Sequence, residues 1–392
     1  MTSVYLDHNA TTPLDPDVCA VMTAALREEF GNPSSVHAPG RSARVRLDEA
    51  RDRVAAWIKA HPAEIVFTSG GTEADNLALF GVARALRDRG RHLVTSRLEH
   101  PAVLNPCRRL EQEGFQVDYL PVDSEGRIDP ETLRRSLRDD TLLVSIQHAN
   151  SETGVLQDIQ TLGGIVRERG ILFHCDAVQS AGKLEIDLGA WPVDLLSLSA
   201  HKMYGPKGCG ALFIRRGTPP LVPLILGGGQ ERKRRGGTEN LPALAGFGRA
   251  AQLAAERWEQ DARHMRTLRD RLWRGIEQRI PEVQFHTPKE ESLPNTLSVA
   301  FEGVAGQSLL IRLDVAGVAV STGTACSSGV TLPSETLQAL GLSESARQGT
   351  LRLSLGRETT EAGVDYALEV LSEAVKTIRE GRAGRTALGT GI

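Results

Sequence analysis

Val193-Asp-Leu-Leu-Ser-Leu-Ser199-Ala-His201-Lys202, followed at once by Met203-Tyr204-Gly205-Pro206-Lys207-Gly208, decides how the rest of the chain is read. Its first seven residues form a short apolar run ending in small polar side chains, the pattern of a buried strand that stops at a sheet edge. Lys202 then emerges from that edge into a cleft. Alone it reads as a solvated loop lysine. Upstream, however, Phe173-His174-Cys175-Asp176-Ala177-Val178-Gln179 has the same layout, an apolar strand with an acid at its exit. An aspartate and a lysine delivered by neighbouring strand ends are what a pyridoxal phosphate site needs. The acid pairs with the pyridinium nitrogen and the amine forms a Schiff base with the aldehyde.

Outward from this stretch, short apolar runs alternate with helix-period segments. Glu64–Thr68, His92–Ser96, Gln116–Leu120, Leu142–Gln147, Ile171–His174, Asp194–Ser199 and Gly210–Ile214 read as strands, with helices such as Thr72–Arg89 and Leu162–Arg169 between them. That rhythm predicts an α/β domain with a mostly parallel sheet and helices on both faces. Near residue 250 it changes. Ala250–Ile280 reads as a long charged helix linking two domains, followed by strands at Asn295–Phe301, Val318–Ser321 and Thr350–Leu355, a helix at Thr360–Arg379 and a frayed tail from Gly381. The expected division is a large domain over residues 15–257 and a smaller α+β domain from residues 1–14 and 258–392. With 392 residues, more than one core is expected.

A net charge of −3 gives no general pull toward nucleic acid or membrane, so no partner of either kind is expected. The N-terminus has neither a basic nor an apolar leader region, and no stretch approaches a membrane span, which makes the cytoplasm the expected compartment. Five cysteines, an odd number without a Cys-x-x-Cys pair, argue against a disulfide framework or a structural zinc site.

Phe67-Thr-Ser-Gly70-Gly71-Thr72-Glu73-Ala-Asp75 reads as a strand, two glycines and a Thr-x-x-Asp helix opening in which Thr72 is the N-cap. Bared N–H groups at the positive end of a helix suit a phosphate, although a plain capped helix would read the same way. No dinucleotide or P-loop glycine pattern follows a strand, so the anion is small. Glu99-His100 places an imidazole at the same sheet edge as Asp176 and Lys202, where it could stack on a flat cofactor and relay protons. Gly227–Asn240 is basic and glycine-rich, suited to covering a site or reaching a neighbouring subunit. Ser321-Thr-Gly-Thr-Ala-Cys326-Ser-Ser-Gly329 displays a thiol in a small polar loop, as a nucleophile requires. Arg352, inside the apolar run Leu351–Leu355, costs free energy unless it binds a carboxylate, so it is a candidate grip on an amino-acid substrate.

Together these blocks resemble the pyridoxal-phosphate cysteine desulfurases of the class-V aminotransferase superfamily, whose fold is that of the type I pyridoxal-phosphate transferases. The resemblance extends from Tyr5-Leu-Asp-His-Asn-Ala-Thr-Thr-Pro13, through Phe30–His37, Gly70–Glu73, Glu99-His100, His148–Gly154, His174–Gln179, Ser199–Lys202, Gly237–Asn240 and Ala325–Ser328, to Arg352. It implies that Lys202 carries the cofactor, Asp176 pairs with the ring nitrogen, Gln179 contacts the phenolic oxygen and His100 stacks on the ring. Gly71, Thr72, Ser199 and His201 would hold the phosphate, with Thr238 supplied by the partner of a homodimer. Asn32 and Arg352 would take the carboxylate of L-cysteine. Cys326 would receive the sulfur as a persulfide, release alanine, serve as a transient iron–sulfur ligand through that persulfide, and pass sulfur to an iron–sulfur scaffold or other acceptor protein. Where the family reads His-x-Asn-Asn-Glu, this chain has Asn150-Ser151-Glu152, leaving Ser151 or Asn150 to contact the cofactor. An aminotransferase of the same fold would have no use for Cys326. A selenocysteine lyase would use the same residues.

Overall fold

The computed structural model describes residues 3–322 and 334–388, so the segment that carries Cys326 lies outside the described residues. The strands are β1 (Val4–Tyr5), β2 (Ile65–Thr68), β3 (His92–Ser96), β4 (Gln116–Leu120), β5 (Thr141–Gln147), β6 (Leu172–Asp176), β7 (Leu195–Ser199), β8 (Gly210–Ile214), β9 (Val283–Phe285), β10 (Thr296–Phe301), β11 (Val318–Ala319) and β12 (Thr350–Ser354). The helices are α1 (Pro16–Glu28), α2 (Ala38–Trp57), α3 (Gly71–Ala85), α4 (Pro101–Gln112), α5 (Pro130–Ser136), α6 (Ile159–Glu168), α7 (Leu241–Arg279), α8 (Gly306–Val315), α9 (Glu335–Ala339), α10 (Glu344–Gln348) and α11 (Glu361–Leu388).

Seven strands form one sheet in the order β2-β8-β7-β6-β5-β3-β4. The run from β7 to β4 is parallel, and β8 is antiparallel to both its neighbours. Strands β5, β7 and β8 are buried along their whole length, which is why they read as unbroken apolar runs and not as alternating ones. One face packs on α2, α6 and the first half of α7, the other on α3 and α4. In this architecture β2, β3, β5, β6 and β7 all end at the same edge, where open α/β sheets take their ligands.

A second core gathers around the antiparallel sheet β12-β10-β9, with β1 paired to β11 alongside. Helix α7 belongs to both cores. Leu244, Phe247 and Leu253 pack under the large sheet, while Leu268, Leu272 and Ile276 pack under the small one. The helix begins at Leu241, nine residues before the charged stretch that marks it in the sequence, because Asn240 caps it and Pro242 sits in its first turn. The opening turns are buried and apolar, so charge periodicity does not reveal them. At the C-terminus, α11 continues through Leu388 where a frayed tail was expected.

Candidate active site

The exits of β6 and β7 are neighbours, with Asp176 in register with Ser197. Asp176 closes β6, and Lys202 ends a single 3-10 turn that follows Ser199. Asp176 is buried, and one of its oxygens accepts the Val178 N–H at 2.9 Å. Burial raises its pKa, while His100, the Val178 N–H and Lys202 pull it back toward the anion. The Lys202 ammonium donates to two backbone carbonyls of the N-terminal segment, those of Asn9 and of Ala10, the latter at 2.9 Å.

His100 caps α4. Its Nδ1 accepts the Ala102 N–H at 3.1 Å, so the neutral ring carries its proton on Nε2. Burial lowers its pKa, and it senses the charges of both Asp176 and Lys202. Beneath this edge, burial raises the carboxyl of Asp75, and it pushes Glu99 up to about 8. Burial thus shifts both carboxyls toward the neutral form, which lessens the negative charge beside Asp176.

At the start of α3 the cap is Gly70, without any side-chain hydrogen bond, and not Thr72. Asp75, three residues after Thr72, turns inward toward His174 at 3.6 Å and Ser197, so the Thr-x-x-Asp pattern marks a buried acid and not a capping box. The first-turn N–H groups of α3 are left for an anion. Gly71 is needed for space, since a methyl group there would come within 2.7 Å of Val178 Cγ2 and 3.6 Å of Ser199 Cβ. The turn therefore abuts Ser199 and the strand that bears Asp176. His201, the next candidate phosphate ligand, has Nδ1 3.2 Å from Thr11 Oγ1, and burial pulls its pKa down to about 4.

Gln179 donates from Nε2 to the Asn9 carbonyl at 3.1 Å, while its Oε1 is buried without a partner. A buried acceptor left over beside Asp176 and Lys202 fits a hydroxyl on a bound ring. Asp176 for a ring nitrogen, Lys202 for an aldehyde, and the glycine turn for a phosphate complete a donor and acceptor set that fits pyridoxal phosphate.

The opposite wall comes from distant segments. Arg352 on β12 is buried. It donates to Asp7 at 2.7 Å and to the Ser151 carbonyl at 3.1 Å, and its Nε has no partner. The carboxylate that makes this arginine tolerable is thus already present as Asp7. The Arg352 Nε is a buried donor still without an acceptor among the described residues. Asn150, expected at the cofactor, is spent on its own turn. Its Oδ1 accepts the Glu152 and Thr153 N–H groups, each at 2.9 Å, and its Nδ2 donates to the Leu98 carbonyl at 3.0 Å. It shapes the loop that presents Ser151. Glu152 is half-buried near Arg352, accepts from Ser334 at 2.5 Å, and is pushed up to about 7 by loss of solvent around its carboxyl.

Asn32 and Thr238 stand outside this cluster. Asn32 is exposed, with Oδ1 turned back to the Ser34 N–H at 2.9 Å, and Thr238 is exposed on the glycine-rich segment. That segment is anchored just before Thr238. Glu231 makes a buried bidentate pair with Arg51 at 2.6 and 2.8 Å, and Arg235 reaches Glu73 at 3.0 Å. Two further residues of the pocket have no sequence signature of their own. Asn9 lies in a block that resembles the family without a stated role. Lys183 is buried, donates to the Gln179 carbonyl at 2.8 Å, and is lowered to about 7 by burial and by Lys202.

The aminotransferase class-V family model matches residues 4–367. Cysteine desulfurase IscS of Dictyoglomus turgidum is 47% identical over 376 residues, covering 96% of this chain and 95% of its own length. The chain belongs to the cysteine desulfurases of the class-V aminotransferase family. A solved NifS-like protein superposes with a TM-score of 0.90 at 40% identity, covering 96% of this chain and 100% of that one. SspA, solved in complex with cysteine, superposes with a TM-score of 0.81 at 36% identity, over 92% of this chain and all of its own. The enzyme accordingly has the type I fold, and its cofactor is pyridoxal 5′-phosphate. Among the described residues no helix is long and apolar enough to cross a membrane, and no group of three His, Cys, Asp or Glu residues is placed to hold a metal. The expected iron–sulfur role of Cys326 lies outside those residues.

Proposed function

We propose that the chain is a cytoplasmic, homodimeric cysteine desulfurase that moves the sulfur of L-cysteine onto Cys326, leaving L-alanine, and supplies iron–sulfur cluster assembly through a sulfur-acceptor protein. The observation that carries the reading is the pairing of Asp176 and Lys202 at adjacent strand exits, faced by Arg352 with a buried, unpartnered Nε. When bound, pyridoxal phosphate supplies an electron sink for the amino acid joined to it.

The chain's residues supply the rest. Asp176 keeps the ring nitrogen protonated, and His100 packs on the ring with its Nε2 proton facing the substrate. Gln179 Oε1 accepts the phenolic hydroxyl, with the Ser151 hydroxyl in place of the family's asparagine amide. Gly71, Thr72, Ser199 and His201 hold the phosphate, joined by Thr238 across the dimer contact. Arg352 and Asn32 grip the substrate carboxylate and fix its Cα over the ring.

Lys202, once displaced, moves a proton at Cα. The Cys326 thiolate attacks the substrate sulfur. A new S–S bond forms as the Cβ–S bond breaks, the bonding pair is left on Cβ, and a proton added there completes alanine. Support for the dimer comes from Leu26, Phe30, Val36 and Leu226, large apolar side chains exposed at 69%, 87%, 87% and 81%. The test is to incubate the purified protein with L-cysteine and map its peptides by mass spectrometry. One added sulfur on the Cys326 peptide with released alanine is expected. Sulfur elsewhere, or none, overturns the reading.

A further inference from the structure

The segment from Leu6 to Asp15 starts on the small sheets and ends at the exit of β7. At one end the His8 N–H donates to the Ser354 carbonyl, and at the other the Thr12 N–H donates to the His201 carbonyl at 3.0 Å and the Asp15 N–H to that of Tyr204 at 3.0 Å. Asn9 sits at its middle, only 1% exposed, with every polar atom engaged. Its backbone N–H donates to Ser354 Oγ at 2.9 Å. Its Nδ2 donates to Thr296 Oγ1 at 2.8 Å and to the Ser151 carbonyl at 3.1 Å. Its Oδ1 accepts from Asn295 Nδ2 at 3.0 Å. All of these partners lie on β10, β12, the residue before β10, or the Ser151 turn. On its other side the Asn9 carbonyl accepts from Lys202 and from Gln179, and the Ala10 carbonyl accepts from Lys202.

We propose that the Asn9 and Ala10 carbonyls form a docking station that holds the Lys202 ammonium whenever the lysine is not joined to the cofactor, and that the Asn9 side chain is the positioning residue that builds it. This rests on Lys202 being the cofactor lysine. A lysine displaced by substrate is a charged group on a flexible four-carbon stem, and it must return to the same carbon atom in every cycle. Two fixed carbonyls satisfy two of its three donors and keep it beside the ring. Being neutral dipoles, they also leave the amine able to give up its proton, which an ion pair with a carboxylate would resist. Lys183 opposes the charge from behind, with its Nζ 3.5 Å from the Lys202 carbonyl. The same carbonyl of Asn9 orients Gln179, so one buried asparagine sets two groups of the pocket from the small-domain side.

The experiment uses the full-length chain, stripped of pyridoxal phosphate, and trace acetylation at pH 8 with rates read for Lys202 and Lys183 by mass spectrometry. Lys183 is the internal control for a general opening of the pocket, because none of its hydrogen bonds among the described residues involves Asn9, and loss of the neighbouring Lys202 charge would slow its labelling and not speed it. Asn9→Ala is expected to speed Lys202 labelling roughly five- to tenfold, the factor that loss of an ordinary net hydrogen bond commands, with Lys183 not accelerated. It should also slow recapture of added pyridoxal phosphate, followed by absorbance. Should Asn9→Ala fail to fold in a thermal melt, Ser354→Ala substitutes for it, since among the described residues that hydroxyl reaches only the Asn9 N–H and the Leu6 carbonyl. A Lys202 rate that does not move, or a Lys183 rate that rises equally, overturns the station. Borohydride trapping in the loaded parent separates the two levels. Cofactor fixed to a lysine other than Lys202 overturns the underlying assignment, whereas cofactor on Lys202 with unmoved labelling overturns the station alone.

Discussion

The two walls of the pocket are built differently. The wall carrying Asp176, Lys202 and His100 is a set of strand exits, and each side chain is placed by a buried strand a few residues away. The wall carrying Arg352, Asp7, Ser151 and Asn9 is assembled from three segments joined by hydrogen bonds and one ion pair, over separations of up to 345 residues. Chemistry that must not shift sits on the sheet edge. The grip proposed for the substrate carboxylate sits where parts of the molecule meet.

Substitutions in the first wall should break the chemistry, and those in the second should weaken binding. The largest effect is expected for Lys202→Ala, which should abolish the visible absorption band of the bound cofactor and cut alanine release by on the order of 10³-fold or more. Retention of more than a tenth of the activity would dissolve the contrast between the walls. Arg352→Gln should keep the band yet lower kcat/KM for cysteine about 10- to 100-fold, mostly through KM, as expected for loss of a charge-assisted pair. A pure kcat effect would move Arg352 to the chemical wall.

Gly71→Ala tests the packing of the first wall. The added methyl meets Val178 at 2.7 Å, so cofactor retention in dialysis should fall and stability should drop by about 1–3 kcal/mol.

Glu152→Gln probes the second wall through pH. Loss of solvent raises the folded carboxyl from the ordinary glutamate value of 4.5 to about 7, so the folded chain holds the proton more tightly than the unfolded one. The group's contribution therefore falls as pH rises from 4.5 to 7 and is flat above. Denaturant titrations should show the Gln variant gaining on the parent, by on the order of 2 kcal/mol, between pH 5 and pH 8. An equal difference at both pH values would place Glu152 in water. The smallest effect is expected for Ser151→Asn. It should shift the cofactor's absorption maximum and leave KM for cysteine within about twofold, because Arg352 is held by the Ser151 backbone carbonyl and not by its side chain.

The first wall was legible in the sequence because each of its residues follows an apolar run that ends abruptly, as in Leu195–Ser199 before Lys202. Arg352 was legible for a related reason, a charge inside an apolar strand. Its partner was not, since Asp7 lies 345 residues away and nothing local in Tyr5–Thr12 points to it. Distance along the chain also hid Asn9, whose contact with Lys202 spans 193 residues. Local pattern also misled at Thr72, where a capping signature proved to be the approach to a buried acid.

The central claim is that the sheet-edge lysine and the Cys326 thiol act in succession on one bound amino acid. The most direct measurement mixes L-cysteine rapidly with the loaded parent and with Cys326→Ala, following cofactor absorbance and released alanine together. Both proteins should show the cysteine-dependent absorbance change, and only the parent should release alanine. Alanine released by Cys326→Ala at the parent's rate would contradict the account.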